Sequence, residues 1–250
     1  MRFFQKVTNL ENSSNAELNT HLPTTGITAE YNCFFGISPP TPSLIPGDSH
    51  TATDIDHSSL LFVGSTGPQW FFFSKMPRRY IGESNIPRFT EPEMLAQVLE
   101  HADFHVSETV TLGQLFETRK SLGYFPLEEA THDIWTYGRI VCLGDSIHKM
   151  TPNLGQGGNQ AIESAAVLTN CLFEMFQASN EPKTGIEKLK EALQTYQSLR
   201  QKRAKKFVSL SGLVTRNEAL ATLKHTLRFL YTEPLSGEML AGEFLDYGRM

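Results

Sequence analysis

Short blocks of apolar and aromatic residues dominate the first third of the chain. Blocks over 28–37, 60–64 and 69–75 are strand-length and rich in Phe, Val, Ile and Trp, which predicts three β-strands. The last two flank Ser65-Thr66-Gly67-Pro68, a turn sequence, and so predict a hairpin. Pro39, Pro40, Pro42 and Pro46, then Gly47, predict that 39–56 is a loop. From residue 90 the apolar period becomes helical. Thr90-Glu91-Pro92-Glu93 supplies an N-cap with early Pro and Glu for a helix over 90–101, and a short helix is predicted over 112–117. Arg139-Ile140-Val141-Cys142-Leu143 reads as a buried strand. Ala161, Ala165, Leu168, Leu172 and Met175 lie at spacings of three and four and form one face of a helix over 156–177. Leu189, Leu193, Tyr196 and Leu199 predict another over 187–213, and a final helix is predicted over 217–230. Residues 1–27 predict a poorly ordered N-terminal segment and 233–250 a loose tail, and no internal repeat is found.

The segment between the predicted strand and helix concentrates the chemistry. It reads Gly144-Asp145-Ser146-Ile147-His148-Lys149-Met150-Thr151-Pro152-Asn153-Leu154-Gly155-Gln156-Gly157-Gly158-Asn159. An acid at the end of a strand accepts hydrogen bonds from ligand hydroxyls. Pro152 fixes one φ angle and offers a flat apolar face. Gly155, Gly157 and Gly158 lack β-carbons, so backbone can approach a flat ligand. Asn159 is placed to help cap the helix, whose first N–H groups suit an anionic or electron-rich edge. The same residues also fit a purely structural corner in which Asp145 caps a turn and the glycines relieve crowding.

The full string, Gly-Asp-x-x-His-x-x-x-Pro-x-x-Gly-Gln-Gly-x-Asn-x-x-x-Glu from Gly144 to Glu163, resembles the second flavin-binding motif of the class A flavin monooxygenases. These are the p-hydroxybenzoate-hydroxylase-like enzymes. Pro126-Leu127-Glu128-Glu129 and Trp135-x-Tyr137-Gly138-Arg139 look like the approach to this motif in fungal members that hydroxylate or epoxidise prenylated indole, diterpene and meroterpenoid intermediates. Glu30 to Ser38 and Gln69 to Phe73 look like strands of their substrate-domain sheet, and Tyr196-x-x-x-Arg200-x-x-Arg203 resembles the helix that follows. The likeness covers residues 28–215.

The resemblance implies an α/β (α+β) chain with an incomplete p-hydroxybenzoate-hydroxylase-like fold. Residues 28–137 would form the substrate-domain sheet with its helices, and 138–232 the C-terminal strand–helix part of the FAD domain. It implies FAD as cofactor, NAD(P)H as reductant, and O₂ with a small apolar substrate as reaction partners. Asp145 would hold the ribityl chain, and Pro152 would stand beside the reactive edge of the isoalloxazine. Gly155, Gln156, Gly157, Gly158 and Asn159 would line the ring's pyrimidine side, Gly158 through its main chain. The difficult chemistry belongs to the cofactor, so no catalytic side chain is assigned. The family begins with a Gly-x-Gly-x-x-Gly turn that holds the FAD pyrophosphate, and this chain contains no such turn. An Asp-Gly motif is absent too, and Met1 to Lys6 resembles sequence that follows it in the family. The expectation is a C-terminal part of a family member, completed by a possible separate N-terminal fragment. Two other classes stay open: an inactive remnant or partner subunit, and a binding protein for apolar small molecules.

Composition narrows the picture only slightly. Forty per cent hydrophobic and 20% charged residues are ordinary for a globular protein, and 250 residues can bury a sizeable core. A net charge of −5 argues against nucleic acid as a partner. Cys33, Cys142 and Cys171 have no metal-ligand spacing and read as reduced buried thiols, and no metal cluster is expected among the eight histidines. No signal peptide or membrane-spanning run is seen, so the expected location is cytoplasmic, with at most peripheral membrane association. Of the 17 Phe residues most are expected in the core, while Trp70 to Phe73 can serve either a pocket or inter-sheet packing. Arg200, Lys202, Arg203, Lys205 and Lys206 are expected to form a solvated basic face. His148 is expected to make a structural hydrogen bond.

Overall fold

A computed structural model describes residues 26–177 and 185–230. Of the loose segments expected at 1–27 and 233–250, residues 1–25 and 233–250 lie outside the described residues, and Ile27 already belongs to the first strand. Eight strands are present: β1 (Ile27–Ile37), β2 (Ser49–Asp54), β3 (His57–Gly64), β4 (Gly67–Ile81), β5 (Ser121–Thr131), β6 (Thr136–Tyr137), β7 (Ile140–Val141) and β8 (His148–Lys149). The main sheet runs β2-β3-β4-β1-β5-β8, and β6 and β7 pair separately. Four helices accompany them: α1 (Glu91–Glu100), α2 (Leu112–Glu117), α3 (Gly157–Gln177) and α4 (Ile186–Glu218), with a further helical segment over 223–230.

The predicted hairpin forms, with Gly64 opposite Gly67, but both strands run further than their apolar blocks. Residues 49–54 depart from the loop expectation. Ser-His-Thr-Ala-Thr-Asp is too polar to read as a core strand, yet it pairs along its whole length with β3 as the sheet's edge. β5 was not legible either, because Gly123 and Pro126 interrupt it. The 139–143 run yields only the two-residue strand β7, half-buried and paired with β6 across Gly138 (φ 57), rather than a buried strand. Helices α1 and α2 begin where predicted, each on a capping box, Thr90 with Glu93 and Thr111 with Gln114.

The chain divides into two compact units that interleave in sequence. One gathers residues up to Ala29, Arg79–Ile86 and Leu127–Gly212; the other gathers Glu30–Arg78, Pro87–Pro126 and the residues from Leu213. The second unit's core lies under one face of the sheet, where Phe34, Leu61, Trp70 and Phe72 meet Val98 of α1 and Leu112 and Leu115 of α2. The Trp70 indole donates to Ser38 Oγ (2.9 Å), which donates to the Leu115 carbonyl (2.7 Å). Gly36 leaves room for that indole: a β-carbon there would stand 2.1 Å from the ring. The alternation of β4 puts Phe71 and Phe73 on the opposite face, where Phe71 contacts Phe35 and Phe62.

The first unit packs α3 against α4 around Trp135, Ile147, Leu168, Leu193 and Tyr196. Polar bonds fix the register. Arg200 is only 2% exposed, and its guanidinium donates to Glu163 (2.7 Å), to the Gln160 side chain (2.8 Å) and to the Gln160 carbonyl (3.3 Å). Arg203 grips the same carboxylate with two bonds of 2.7 and 2.9 Å. Arg200 and Arg203 therefore do not belong to a solvated basic face; only Lys202 and Lys206 of that cluster are exposed, and the half-buried Lys205 pairs with Asp133. Burial alone would raise the Glu163 pKa. The Arg203 hydrogen bonds and both guanidinium charges outweigh it and hold the carboxyl below its usual range. His148 Nε2 lies 3.1 Å from Ser164 Oγ, one turn beyond Gln160, and the imidazole packs on Trp135.

Removing Glu163 takes away the carboxylate that the buried Arg200 shares with Arg203. Glu163→Ala is expected to cost about 2–4 kcal/mol in urea unfolding, far more than an exposed ion pair. Burial also holds the His148 imidazole below the ordinary histidine range, with Arg200 acting in the same direction and the histidine's own backbone hydrogen bond, Asp145 and Glu163 only partly opposing. The unfolded chain therefore takes up the proton first, so this contribution is complete above the ordinary pKa and shrinks as pH falls below it. Melting temperatures measured from pH 7.5 down to 5.5 should decline less steeply for His148→Gln than for the wild type.

Candidate functional site

The glycine-rich segment runs from β7 to α3. Gly144–Ser146 form a 3₁₀ turn, so Asp145 lies in a turn and not at the end of a strand. The turn starts from Gly144 in the left-handed region (φ 63), where an added β-carbon would also crowd Ala161 at 3.2 Å. The turn's side-chain hydrogen bond is made by Ser146, whose hydroxyl donates to the Leu143 carbonyl (2.7 Å). Asp145 does not cap this turn: its carboxylate is exposed and accepts no hydrogen bond among the described residues. It lies 4.0 Å from the point where a β-carbon on Gly157 would project. The carboxylate thus sits free beside the start of α3.

β8 then carries His148 and Lys149 into the sheet opposite Thr131 and Ala130, and Lys149 pairs with Glu128 (2.7 Å). Pro152–Leu154 make a second 3₁₀ turn with Pro152 half-buried at its start. Gly155 closes that turn in the left-handed conformation (φ 64), donating its N–H to the Pro152 carbonyl (2.8 Å). The first rung of α3 links Gln160 N–H to the Gln156 carbonyl (2.9 Å), so the N–H groups of Gly157, Gly158 and Asn159 precede the ladder. Asn159 is an exposed residue of the first turn and not the residue before it, so it is not the cap.

The glycines separate into two kinds. Gly144 and Gly155 are demanded by left-handed backbone. Gly157 and Gly158 are not: neither has a positive φ, no atom comes nearer than 4.0 Å to a β-carbon built on Gly157, and none lies within 4 Å of one built on Gly158. Nothing in the described chain requires glycine at those two positions. The result is a strip of bare backbone with unladdered N–H groups and an unpaired carboxylate at its side. It suits a flat ligand that carries hydroxyl groups next to a hydrogen-bonding edge.

His148 is excluded from proton transfer at this surface by its burial (1% exposed). Tyr196, whose phenol donates to the Cys142 carbonyl (3.1 Å), is pushed up to about 12, chiefly by burial. Both serve as packing residues behind the loop. The sequence reading missed that Glu163 is the anchor for Arg200 and Arg203. The signal was the Glu at the end of the motif together with two arginines one turn apart on the later helix. Among the described residues no group of three or more His, Cys, Asp or Glu could hold a metal ion, and the three cysteines are free. No described helix is long and apolar enough to cross a membrane.

A family described as FAD binding domain matches residues 57–211. The FAD-dependent monooxygenase BOA8 of Botryotinia fuckeliana is 39% identical over 216 residues, which cover 86% of this chain and 28% of that protein. The FAD-dependent monooxygenase verC1 of Penicillium polonicum is 41% identical, with 78% of this chain and 24% of the relative covered. For penM of Penicillium crustosum the figures are 36%, 86% and 46%. The chain thus spans about a quarter to a half of the curated relatives it matches. Among solved structures, HpxO of Klebsiella pneumoniae complexed with FAD and uric acid matches with TM-score 0.58 and 20% identity over 80% of this chain and 47% of that one. Tetracycline destructase Tet(51) gives 0.63 and 14% over 90% and 57%. These likenesses identify a mixed α and β fold equivalent to about half of such a chain. With the match covering over half of the sequence, the chain belongs to the FAD binding domain family and corresponds to part of a class A FAD-dependent monooxygenase.

Proposed function

We propose that this chain supplies the isoalloxazine-binding loop and the substrate-domain sheet of an FAD-dependent monooxygenase. With NAD(P)H as reductant and O₂, the enzyme hydroxylates or epoxidises an apolar prenylated or aromatic intermediate of secondary metabolism. The observation that carries this reading is the pair Gly157–Gly158 beside the unpartnered Asp145 carboxylate. A purely structural corner accounts for Gly144 and Gly155 but leaves both of these features without a cause. A bound flavin accounts for both: Asp145 would accept hydrogen bonds from ribityl hydroxyls, and bare backbone would meet the flat ring. Pro152 would stand at the ring's reactive edge, with Gly155, Gln156 and Asn159 completing the rim.

FAD supplies the oxygen-transfer chemistry when bound. The residues of this chain orient and exclude. α3 aims its first N–H groups at the ligand's electron-rich edge. The Arg200–Glu163 anchor holds that first turn still, because Gln160 is bonded to Arg200 through both its side chain and its carbonyl. In the other unit, Phe71 is half-buried and Phe62 is 48% exposed on the sheet face away from the core, which supports an apolar substrate.

Two measurements test the site. Asp145→Ala should weaken FAD binding by about 1.5–3 kcal/mol while leaving the melting temperature without flavin unchanged. Equal flavin affinity in the variant would remove Asp145 from the site. The two kinds of glycine should also separate experimentally. Gly157→Val should lose flavin yet keep most of its stability, since no left-handed backbone or neighbouring atom opposes the side chain. Gly155→Val should lose about 1–3 kcal/mol of stability whether or not FAD is present. Melting curves with and without excess FAD read both effects, and a wild type indifferent to FAD would defeat the cofactor reading.

A further inference from the structure

Two histidines far apart in sequence meet at one end of the second unit's core. His57 opens β3 opposite Asp54, and His101 caps the C-terminal end of α1. Their rings lie 4.4 Å apart with an interplanar angle of 54°. Both rest on the fully buried Phe72, at 5.8 Å for His57 and 5.2 Å for His101, and Phe104 packs edge-on against the same phenyl ring at 5.0 Å.

Each imidazole is positioned by bonds that leave a nitrogen open. His57 Nδ1 lies 2.8 Å from the Ile55 carbonyl. A carbonyl only accepts, so Nδ1 carries the proton and Nε2 keeps its lone pair. The turn that supplies this carbonyl is braced. Asp56, in the left-handed region (φ 63), binds Lys75 through its carboxylate (2.8 Å) and accepts the Lys75 N–H at its own carbonyl (2.9 Å). His101 is fixed by its main chain, which donates to the Val98 carbonyl (3.2 Å) and accepts from Phe104 (3.0 Å). The rings do not bond each other, and among the described residues His57 Nε2 and both ring nitrogens of His101 have no hydrogen-bond partner. Burial, and next the charge that His57 would carry, hold His101 below the ordinary histidine range against the weaker pull of Glu100, which favours its neutral form. Both residues are half-buried, so the open nitrogens are within reach of a small ion.

We propose that His57 and His101 form a two-imidazole site for a divalent transition-metal ion of tetragonal preference, of the Cu(II) or Ni(II) class. Neutral imidazole whose other N–H is tied to a backbone carbonyl is the ordinary form of a metal-binding histidine. The spacing selects the geometry. With a metal–nitrogen bond of about 2.0–2.1 Å the ring centroid stands about 3.2 Å from the ion, so two rings at right angles about it have centroids about 4.5 Å apart and two at the tetrahedral angle about 5.2 Å. The observed 4.4 Å fits the right angle of a tetragonal site. Among the described residues no set of three His, Cys, Asp or Glu is present, so water fills the remaining positions and the ion is exchangeable, unlike a closed structural zinc. Bound there, it ties the β2–β3 turn to the end of α1. The proposal does not depend on the flavin reading of the glycine loop.

The test titrates Cu(II) alone into the chelator-treated 250-residue chain and follows it by electron paramagnetic resonance and by melting. The wild type should take up one ion with a tetragonal spectrum split by two imidazole nitrogens, and its melting temperature should rise with metal concentration. His57→Gln and His101→Gln should each weaken uptake about tenfold or more and abolish the melting shift, while His105→Gln should behave as the wild type. Circular dichroism of the metal-free variants reports their folding. If either variant fails to fold, the wild-type spectrum decides: two coupled imidazole nitrogens with a melting shift support the site, and one or none overturns it. Full affinity in either folded single variant, or no saturable uptake by the wild type, would also overturn the proposal.

Discussion

A single buried guanidinium organises the part of the molecule that carries the candidate site. Arg200 of α4 reaches Gln160, Glu163 and Ser164 on successive positions of α3, so the two helices can meet in only one register. A buried arginine is costly unless its donors are matched, and here Gln160, Glu163 and Ser164, on the first two turns of the motif helix, accept from it. That fixes where the helix begins and hence where the glycine loop ends. Ser164 couples the same network to His148, and His148 to the sheet through Thr131. The loop between β7 and α3 is therefore held from behind, although its outer surface is bare backbone.

This arrangement separates two jobs that sequence motifs usually blur. Some motif residues build the scaffold: Gly144 and Gly155 for backbone conformation, His148 for burial, Glu163 for the anchor. Others have no internal purpose: Asp145, Gly157 and Gly158. On the proposed reading, only the second group is left to meet a ligand. A search for the intact motif would score all of them alike, whereas the geometry assigns each to one side.

Most of the strand–loop–helix order was legible because strong local signals agree there. α2 is found over its predicted span, and α1 and α3 begin within a residue of prediction, because capping boxes and glycines act within a few residues. β2 was hidden by its polarity, since an edge strand needs no apolar face and is defined by its partner β3. β5 was hidden by Gly123 and Pro126, which local propensity counts against a strand and tertiary pairing overrides. The charged cluster on α4 was misjudged because spacing along one helix cannot reveal that Glu163, 37 residues upstream of Arg200, faces it. The placement of Asp145 at the end of a strand failed for a similar reason, since the apolar run before it pairs over only two residues.

The interleaving of the two units bears on how the chain acquires its shape. β1, β4 and β5 each contribute residues to both units, and α4 does so too. Neither unit is a continuous stretch that could be excised or fold first by itself. Glu30 pairs with Arg216 across 186 residues, and Asn32 bonds Tyr124 across 92. Closures of that length lose chain entropy before any contact rewards them, which places the chain among slow, high-contact-order folders. The Phe-rich strands β1, β3 and β4 therefore stay uncovered until α1 and α2, which follow them in sequence and complete their core, have formed, and such exposed apolar surface is where a slow folder is most open to misassembly.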